Sequence, residues 1–393
     1  MFTFSFDISG SALVFFGVAV LMIIPLVIVY MRPLWRVRNA VVRESADETE
    51  PRADIPVSII VYAADEAEML ENLLPSILNQ RYNAPFEVIV VNEGDSDATT
   101  DVVERLKKTY GNVYLTYTPD GAHQLSRKKL ALMIGIKAAR YPVVVQTVAS
   151  AGIDSDLWLA RMTEPFSKGS VEVVLGAGVL DTEKDSGRGR LGRRFNSIAD
   201  DLAWMSAALD GYPYRGTELN LAYTRDVFFR NRGFSRSLNL KFGDDDIFIN
   251  EISNSRNTAV VLHRDAHVRR NTWNVRRTYR ELRARYNFTG RRIKSVMRII
   301  NAAGNWFLWI IIVLCILGAL AMLPNALGIC IALVMIGLVL ALSALLWRRT
   351  LEAMTGAKLS WAIAWSMLMR PFANLFSDLK SRGSGKNNYT WIK

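Results

Sequence analysis

Two cysteines and three histidines are all that 393 residues contain. Cys315 and Cys330 both fall inside apolar runs. That excludes a disulfide framework and a Cys/His zinc site, and it fits a polar part facing a reducing compartment. His123, His263 and His267 are too scattered for most histidine-based metal or Ser/His schemes, so catalysis here must lean on carboxylates. Acids are the minority charge, 37 against 48 Lys and Arg, for a net +11. No G-x-x-x-x-G-K-[ST] stretch occurs. The nearest approach to G-x-G-x-x-G, Gly176-Ala-Gly178, runs into Leu180-Asp181 and further charges instead of a helix, which argues against P-loop and dinucleotide folds.

The basic excess is local. Between Arg264 and Arg298 stand 12 Lys and Arg against Asp265 and Glu281, just ahead of a long apolar run, so an anionic membrane surface is a better partner than nucleic acid. Three apolar runs set the architecture. Ser11–Met31 carries no charge and is followed by Arg32, Arg36 and Arg38. At 1.5 Å per residue it is long enough for the hydrocarbon layer, and its charge order is wrong for a cleaved signal peptide. Pro25 predicts a kink there. Trp306–Leu323 and Ala326–Trp347 flank Pro324-Asn325 as a hairpin, with Arg291, Arg292, Lys294 and Arg298 before it and Arg348 and Arg349 after it. The positive-inside rule puts all three basic clusters in the cytoplasm.

The expected organisation is an anchor over 1–31, a linker over 32–54, an α/β domain over 55–270, a basic amphipathic interfacial helix over 271–305, a transmembrane hairpin over 306–347 and a cytoplasmic interfacial tail over 348–393. In the tail, Pro371 interrupts a helix that either lies at the interface or packs inside. The α/β reading rests on alternation. Strands are expected at Pro56–Tyr62, Glu87–Asn92, Val113–Thr118, Val143–Thr147 and Glu172–Ala177, with helices between them around Leu70–Ile77, Val102–Leu106, Arg127–Ala139 and Trp158-Leu159. That pattern means a mostly parallel sheet covered on both faces, with ligands at the carboxyl ends of its strands.

The polar loops after those strands carry a resemblance. Ala63-Ala64-Asp65-Glu66, then Asn92-Glu93-Gly94-Asp95-Ser96-Asp97, Ser126-Arg127-Lys128-Lys129, Asn220-Leu221-Ala222-Tyr223 and Gly243-Asp244-Asp245-Asp246 follow in order. With one N-terminal and two C-terminal spans, the chain over roughly 55–350 resembles membrane-anchored bacterial family-2 glycosyltransferases. The resemblance implies a GT-A-like nucleotide-sugar-binding domain that inverts the anomeric centre, at the cytoplasmic face of the bacterial inner membrane. Its partners would be a nucleotide-sugar donor, a lipid-linked or polysaccharide acceptor and membrane lipids. It implies base recognition at Glu93, with Asp65 on the first loop, Lys128 near the diphosphate, and Asp244 with Asp245 at the acceptor side, Asp245 as catalytic base. A base must take the acceptor's hydroxyl proton, and Mg²⁺, Mn²⁺ or a protein cation must offset the charge growing on the leaving diphosphate.

The chain departs from that pattern where the metal belongs. Val148 and Ser150 stand at the two carboxylates of the Asp-x-Asp motif, and neither is a good ligand for a hard cation. A literal Asp154-Ser155-Asp156 reads either as a cap of the next helix or as a displaced metal site. Leu282-Arg283-Ala284-Arg285-Tyr286 keeps only the arginine and aromatic of the Gln-x-x-Arg-Trp element, and Ala64-Asp65 replaces Arg-Asn. Asp244–Asp246 reads as a site in preference to a solvated cap, Asp95 and Asp97 as caps, the Gly216–Tyr223 segment as pocket wall, and Asn220 as part of that wall or as structure. The arginines of the basic stretch serve either lipid phosphates or a pyrophosphate. Three functions follow: a metal-dependent sugar transferase, a transferase in which Lys128 or Arg285 replaces the metal, and an inactive pseudo-transferase acting as membrane scaffold or regulator of a protein partner.

Overall fold

The computed structural model describes residues 3–93, 97–118, 125–183, 185, 187–357 and 360–383. Gly94, Asp95, Ser96 and His123, singled out above, lie outside them. The chain forms two compact units. One comprises Met1–Asn39, Leu191–Ser206 and Ser295–Phe376, the other Ala40–Arg190, Ala207–Lys294 and Ser377–Lys393.

The second unit is built on a seven-stranded sheet in the order β3-β2-β1-β4-β8-β6-β9. Its strands are β1 (Val57–Ala63), β2 (Phe86–Asn92), β3 (Val113–Tyr117), β4 (Val143–Val148), β6 (Val173–Gly176), β8 (Leu221–Thr224) and β9 (Thr258–Val261). β1 pairs in parallel with β2 and β4, β2 with β3, and β6 with β9; only β8 runs against its neighbours β4 and β6. The expected mostly parallel sheet is therefore present. Every residue of β4, and all but Tyr62 in β1, is buried. Continuous burial of β-branched runs is what coverage on both faces demands. Leu70, Leu73, Leu74 and Ile77 of helix Ala67–Leu78 pack with Ile59, Val61, Val88 and Val90. On the opposite face, helix Arg127–Ala138 approaches so closely that a Cβ on Gly135 would lie 2.8 Å from Val91 and 2.9 Å from Ile60, which only glycine permits.

A second sheet, β5-β10-β7, escaped the sequence reading: β5 (Ala151–Ile153), β10 (Val268–Arg270) and β7 (Gly178–Leu180). Three-residue strands carry too little periodicity to be seen. Gly176 ends one strand and Gly178 starts another, so this segment opens no helix. Asn220 is structural: its amide donates to the carbonyls of Ala177 (2.9 Å) and Ala266 (2.7 Å) and accepts from the Trp158 indole (3.0 Å).

The first unit holds helices long and apolar enough to cross a membrane within Gly10–Ser45, Val296–Leu320 and Ala326–Thr355. Three expectations need correction. Residues 32–54 are not all linker, because the helix begun at Gly10 runs on to Ser45. Pro25, lacking an N–H, is followed by a π-helical turn over Leu26–Met31, in which Arg32 N–H bonds the Val27 carbonyl. Residues 271–305 are not one helix but two, Val275–Gly290 and Val296–Gly304, the second belonging to an apolar span. Pro371 does not interrupt the tail, where helix Ile363–Gly383 runs through it. Beside that proline Arg370 is buried and hydrogen-bonded to Asp200 (3.0 Å), Asn196 (3.1 Å) and Asn305 (3.2 Å). Close helix contact recurs at Gly318, where a Cβ would lie 2.8 Å from the Phe16 ring.

Candidate active site

Chain order reverses between β1 and β4. β1 leads outward to β2 and β3 on one side, while β4 begins the other half. A crevice at the carboxyl ends of such strands is the standing ligand site of open α/β sheets, and the polar side chains gather there. Glu218 is nearly fully buried and receives three cations from three elements. Lys128 of helix Arg127–Ala138 and Arg285 of helix Val275–Gly290 both bond its Oε2, and Arg270 of β10 donates to its Oε1 at 2.5 Å. Arg285 also bridges Asp244 (2.9 Å) and Asp245 (2.7 Å), and Lys128 pairs with Asp244 at 2.7 Å. Arg270 Nη1 donates to Ser150 Oγ at 3.3 Å, just past β4. Lys128 lies over the Tyr62 ring, 5.3 Å from its centre.

Six charged side chains thus interlock, three of each sign. Asp245 is held from two directions. Its Oδ2 accepts from Glu218 N–H (3.2 Å), and its carbonyl accepts from Gly216 N–H (2.8 Å). Burial pushes the Asp245 carboxyl up to about 7, and the Asp246, Asp244 and Glu218 charges help against the pull of Arg285. Burial also opposes ionisation of Glu218 and Asp244. There the cations win: Arg285, Lys128 and Arg270 hold Glu218 well below the usual carboxylate range, and Lys128 and Arg285 hold Asp244 below it. Adjacent carboxyls of one cluster are therefore set apart, one ready to exchange a proton near neutrality and its neighbours fixed as anions.

The acidic triplet divides its labour. Asp244 and Asp245 enter the ion cluster, while Asp246 caps helix Ile247–Ile252 through Ile247 N–H (2.7 Å) and accepts from the Thr289 hydroxyl. The three adjacent bases of the Ser126–Lys129 turn divide likewise. Arg127 donates to the Glu93 carbonyl. Lys128 faces the cluster. Lys129 is wholly buried and donates to the carbonyls of Ser237 (2.6 Å), Phe242 (2.8 Å) and Leu240 (3.3 Å), and burial lowers its ammonium to about 8. It clamps the loop that carries Gly243–Asp246. Glu93 is half-buried, accepts from the Tyr62 hydroxyl and lies 3.7 Å from Arg127. Burial, then Glu93, raises the Tyr62 phenol. Asp65 turns the chain out of β1 with φ 55°, its N–H bonded to the Asn92 side chain at 3.3 Å.

Residues 58–240 match the family described as Glycosyl transferase family 2. They are a glycosyltransferase family 2 domain. A poly-β-1,6-N-acetyl-D-glucosamine synthase of Staphylococcus epidermidis is 30% identical over 113 residues, 28% of this chain. The match covers 26% of that protein, so the chain spans about a quarter of the length of the curated relative. Among solved structures, the mannosyltransferase PcManGT of Pyrobaculum calidifontis, in complex with GDP-Man and Mn²⁺, aligns with a TM-score of 0.53 at 17% identity, over 93% of this chain and 99% of that one. That likeness is one of fold, and the fold is GT-A-like.

The structure brings together most of the expected site residues, with Lys128 and Ser150 of the matched segment and Asp244, Asp245 and Arg285 beyond it in one cluster, and Glu93 on the Tyr62 side. It does not bring in Asp154 or Asp156. Asp154 pairs with Arg269 (2.7 Å) and Asp156 with Arg81 (2.6 Å), all exposed. Neither caps the following helix, since Ser155 Oγ receives Leu157 N–H at 3.2 Å. The site also does not suit the divalent cation that the family implies. Val148 is buried and apolar, Ser150 Oγ already receives a guanidinium, and Glu218, Asp244 and Asp245 are all occupied by Arg and Lys. Among the described residues no three His, Cys, Asp or Glu are placed to hold a metal.

Sequence reasoning missed Glu218, Arg270 and Tyr62. Glu218 is a lone acid in a segment read as wall, and Arg270 is one of twelve cations in a basic stretch. Arg283 and Arg285 of that stretch are buried, so these two point into the protein rather than at lipid phosphates.

Proposed function

We propose that this chain is a membrane-anchored, inverting glycosyltransferase that moves a sugar from a nucleotide-sugar to a lipid-linked or polysaccharide acceptor at the cytoplasmic face of a bacterial inner membrane. The observation that carries the reading is Asp245, a buried carboxyl bonded to Arg285 at 2.7 Å in the ion cluster at the carboxyl ends of the sheet. In the reaction, Asp245 accepts the proton of an acceptor hydroxyl, whose oxygen attacks the anomeric carbon. The bond from that carbon to the diphosphate breaks on the opposite face, and the nucleoside diphosphate leaves with the electron pair. Arg285 orients the base through the 2.7 Å bond. Arg32, Arg36 and Arg38, Arg291 to Arg298, and Arg348 with Arg349 support the cytoplasmic orientation.

A second reading has one observation in its favour. Every carboxylate of the cluster is already paired with an internal cation, as expected of a pseudo-transferase whose site has become a structural staple. One experiment separates the two. The full chain in lipid nanodiscs is offered a panel of nucleotide-sugars with a lipid extract as acceptor, and sugar transfer and nucleoside diphosphate release are measured. Release that disappears in Asp245→Asn supports the transferase. No release from any donor, with the variant and the wild-type chain alike, leaves the pseudo-transferase.

A further inference from the structure

Three cations reach one carboxylate, and they come from parts of the chain far apart in sequence: Lys128, Arg270 and Arg285 on Glu218. Such convergence builds a cradle for a single anionic group, with Glu218 as its internal occupant. The cradle lies at the mouth of β4, because Arg270 also bonds Ser150 at 3.3 Å. The two positions that would have to be acidic to place a divalent cation there are Val148 and Ser150. A guanidinium carries a permanent charge, presents paired donors that match phosphate oxygens and needs no acidic ligands.

We propose that Arg270, with Lys128 and Arg285, is a fixed diphosphate clamp that takes the place of the divalent cation, and that the donor's diphosphate binds by displacing the Glu218 carboxylate from Arg270 and Lys128. This rests on the transferase reading for its substrate class, a nucleoside diphosphate-sugar. The ligand's own charge substitutes for that of Glu218, so the cations are not left unpaired when donor enters or when product leaves. Arg285 keeps Asp244 and Asp245 as partners throughout. Arg270 is a binding residue here and takes no proton.

The test measures equilibrium binding of inorganic pyrophosphate, UDP and GDP to the full chain in nanodiscs, in excess EDTA and again with Mn²⁺. Sugar release from the donor panel is followed in parallel. The expected result is equal affinity under both conditions, weakened roughly tenfold to a hundredfold by Arg270→Gln and less by Arg270→Lys. Glu218→Gln removes the internal competitor, so it tightens pyrophosphate binding severalfold. Arg269→Ala, on the exposed neighbour paired with Asp154, leaves binding unchanged and controls for general loss of positive charge. Binding that needs Mn²⁺ and ignores Arg270→Gln overturns the clamp while leaving the transferase reading intact. Pyrophosphate binding in EDTA that depends on Arg270, without sugar release from any donor, upholds the clamp and overturns turnover. Failure of all three probes to bind under either condition overturns the clamp.

Discussion

Arg285→Gln removes the one side chain among the described residues that touches all three acids of the cluster. In the wild type at pH 8 the cluster holds Lys128, Arg270 and Arg285 against ionised Glu218, Asp244 and Asp245. The variant keeps two cations for three acids, so Asp245 either stays charged without its partner or takes up a proton, and breaking a buried pair from one side costs about 3–5 kcal/mol. For a unit of this size that is a fall of roughly 6–20 °C in the unfolding midpoint. The pH dependence is the sharper signature. The folded Asp245 carboxyl is raised to about 7, so its contribution to stability is full at low pH and lost as pH rises through that value. From pH 8 to pH 6 the wild type therefore gains on the order of 1 kcal/mol through this group. Arg285 is the cation that pulls the Asp245 carboxyl down, so without it the carboxyl rises further and holds its proton over more of that range. The variant's deficit must therefore shrink toward acid, by on the order of 1 kcal/mol. Thermal unfolding of the full chain in detergent, followed by tryptophan fluorescence at pH 6, 7 and 8, measures it. A midpoint within 2 °C or so of wild type at pH 8, where about 1 kcal/mol would already shift it by more, refutes the interlocked cluster. A deficit that grows toward acid refutes the placement of the proton on Asp245.

Other consequences are briefer. If Asp245 is the base, kcat/KM for sugar transfer rises with pH to a plateau through an apparent value near 7, and Asp245→Asn lowers kcat about 10²–10⁴-fold while nucleoside diphosphate affinity stays within a fewfold. A flat profile between pH 6 and 8 would assign the proton transfer elsewhere. Lys129→Met leaves the carbonyls of Ser237, Leu240 and Phe242 without their shared donor. It should lower the unfolding midpoint and raise hydrogen exchange over 237–246, and protection unchanged there would deny the clamp on that loop.

The sheet was legible because its strands are short β-branched runs separated by helical periodicity, and Val57–Ala63, Phe86–Asn92, Val113–Tyr117 and Val143–Val148 lie within a residue or two of where the pattern puts them. Spans were legible for the same reason: continuous apolar length has few alternative uses. What hid was long-range or brief. Strands of three residues, such as Val268–Arg270, show no period, and the pairing of Glu218 with cations 90, 52 and 67 residues away leaves no local trace. The adjacent bases Arg127, Lys128 and Lys129 look alike in sequence. Helical geometry alone turns one toward a backbone cage, one toward the acids and one toward the Glu93 loop. Charge pattern misled in the basic stretch, because amphipathic spacing does not tell which face meets lipid and which meets buried carboxylates.

Val148, Ser150 and Arg270 make sense only as a set. Two means of neutralising a departing diphosphate compete for one place. At an effective dielectric of 20, a dication about 4 Å from a guanidinium is repelled by about 8 kcal/mol, and the carboxylates that would have to offset this are already bonded to Arg285 and Lys128. An aspartate at 150 would sit within hydrogen-bond reach of Arg270, which already bonds Ser150 at 3.3 Å, and would pair with it. Ser150→Asp alone should therefore bind no Mn²⁺ and should weaken pyrophosphate binding in EDTA about as much as Arg270→Gln does. The triple change Val148→Asp, Ser150→Asp, Arg270→Gln removes the repulsion and supplies the ligands, so pyrophosphate binding should become Mn²⁺-dependent. Titration calorimetry with Mn²⁺ and pyrophosphate, separately and together, reads both results. A single Ser150→Asp chain that binds Mn²⁺ with Arg270 still in place would show that cation and guanidinium coexist, and the exchange of one for the other would fall.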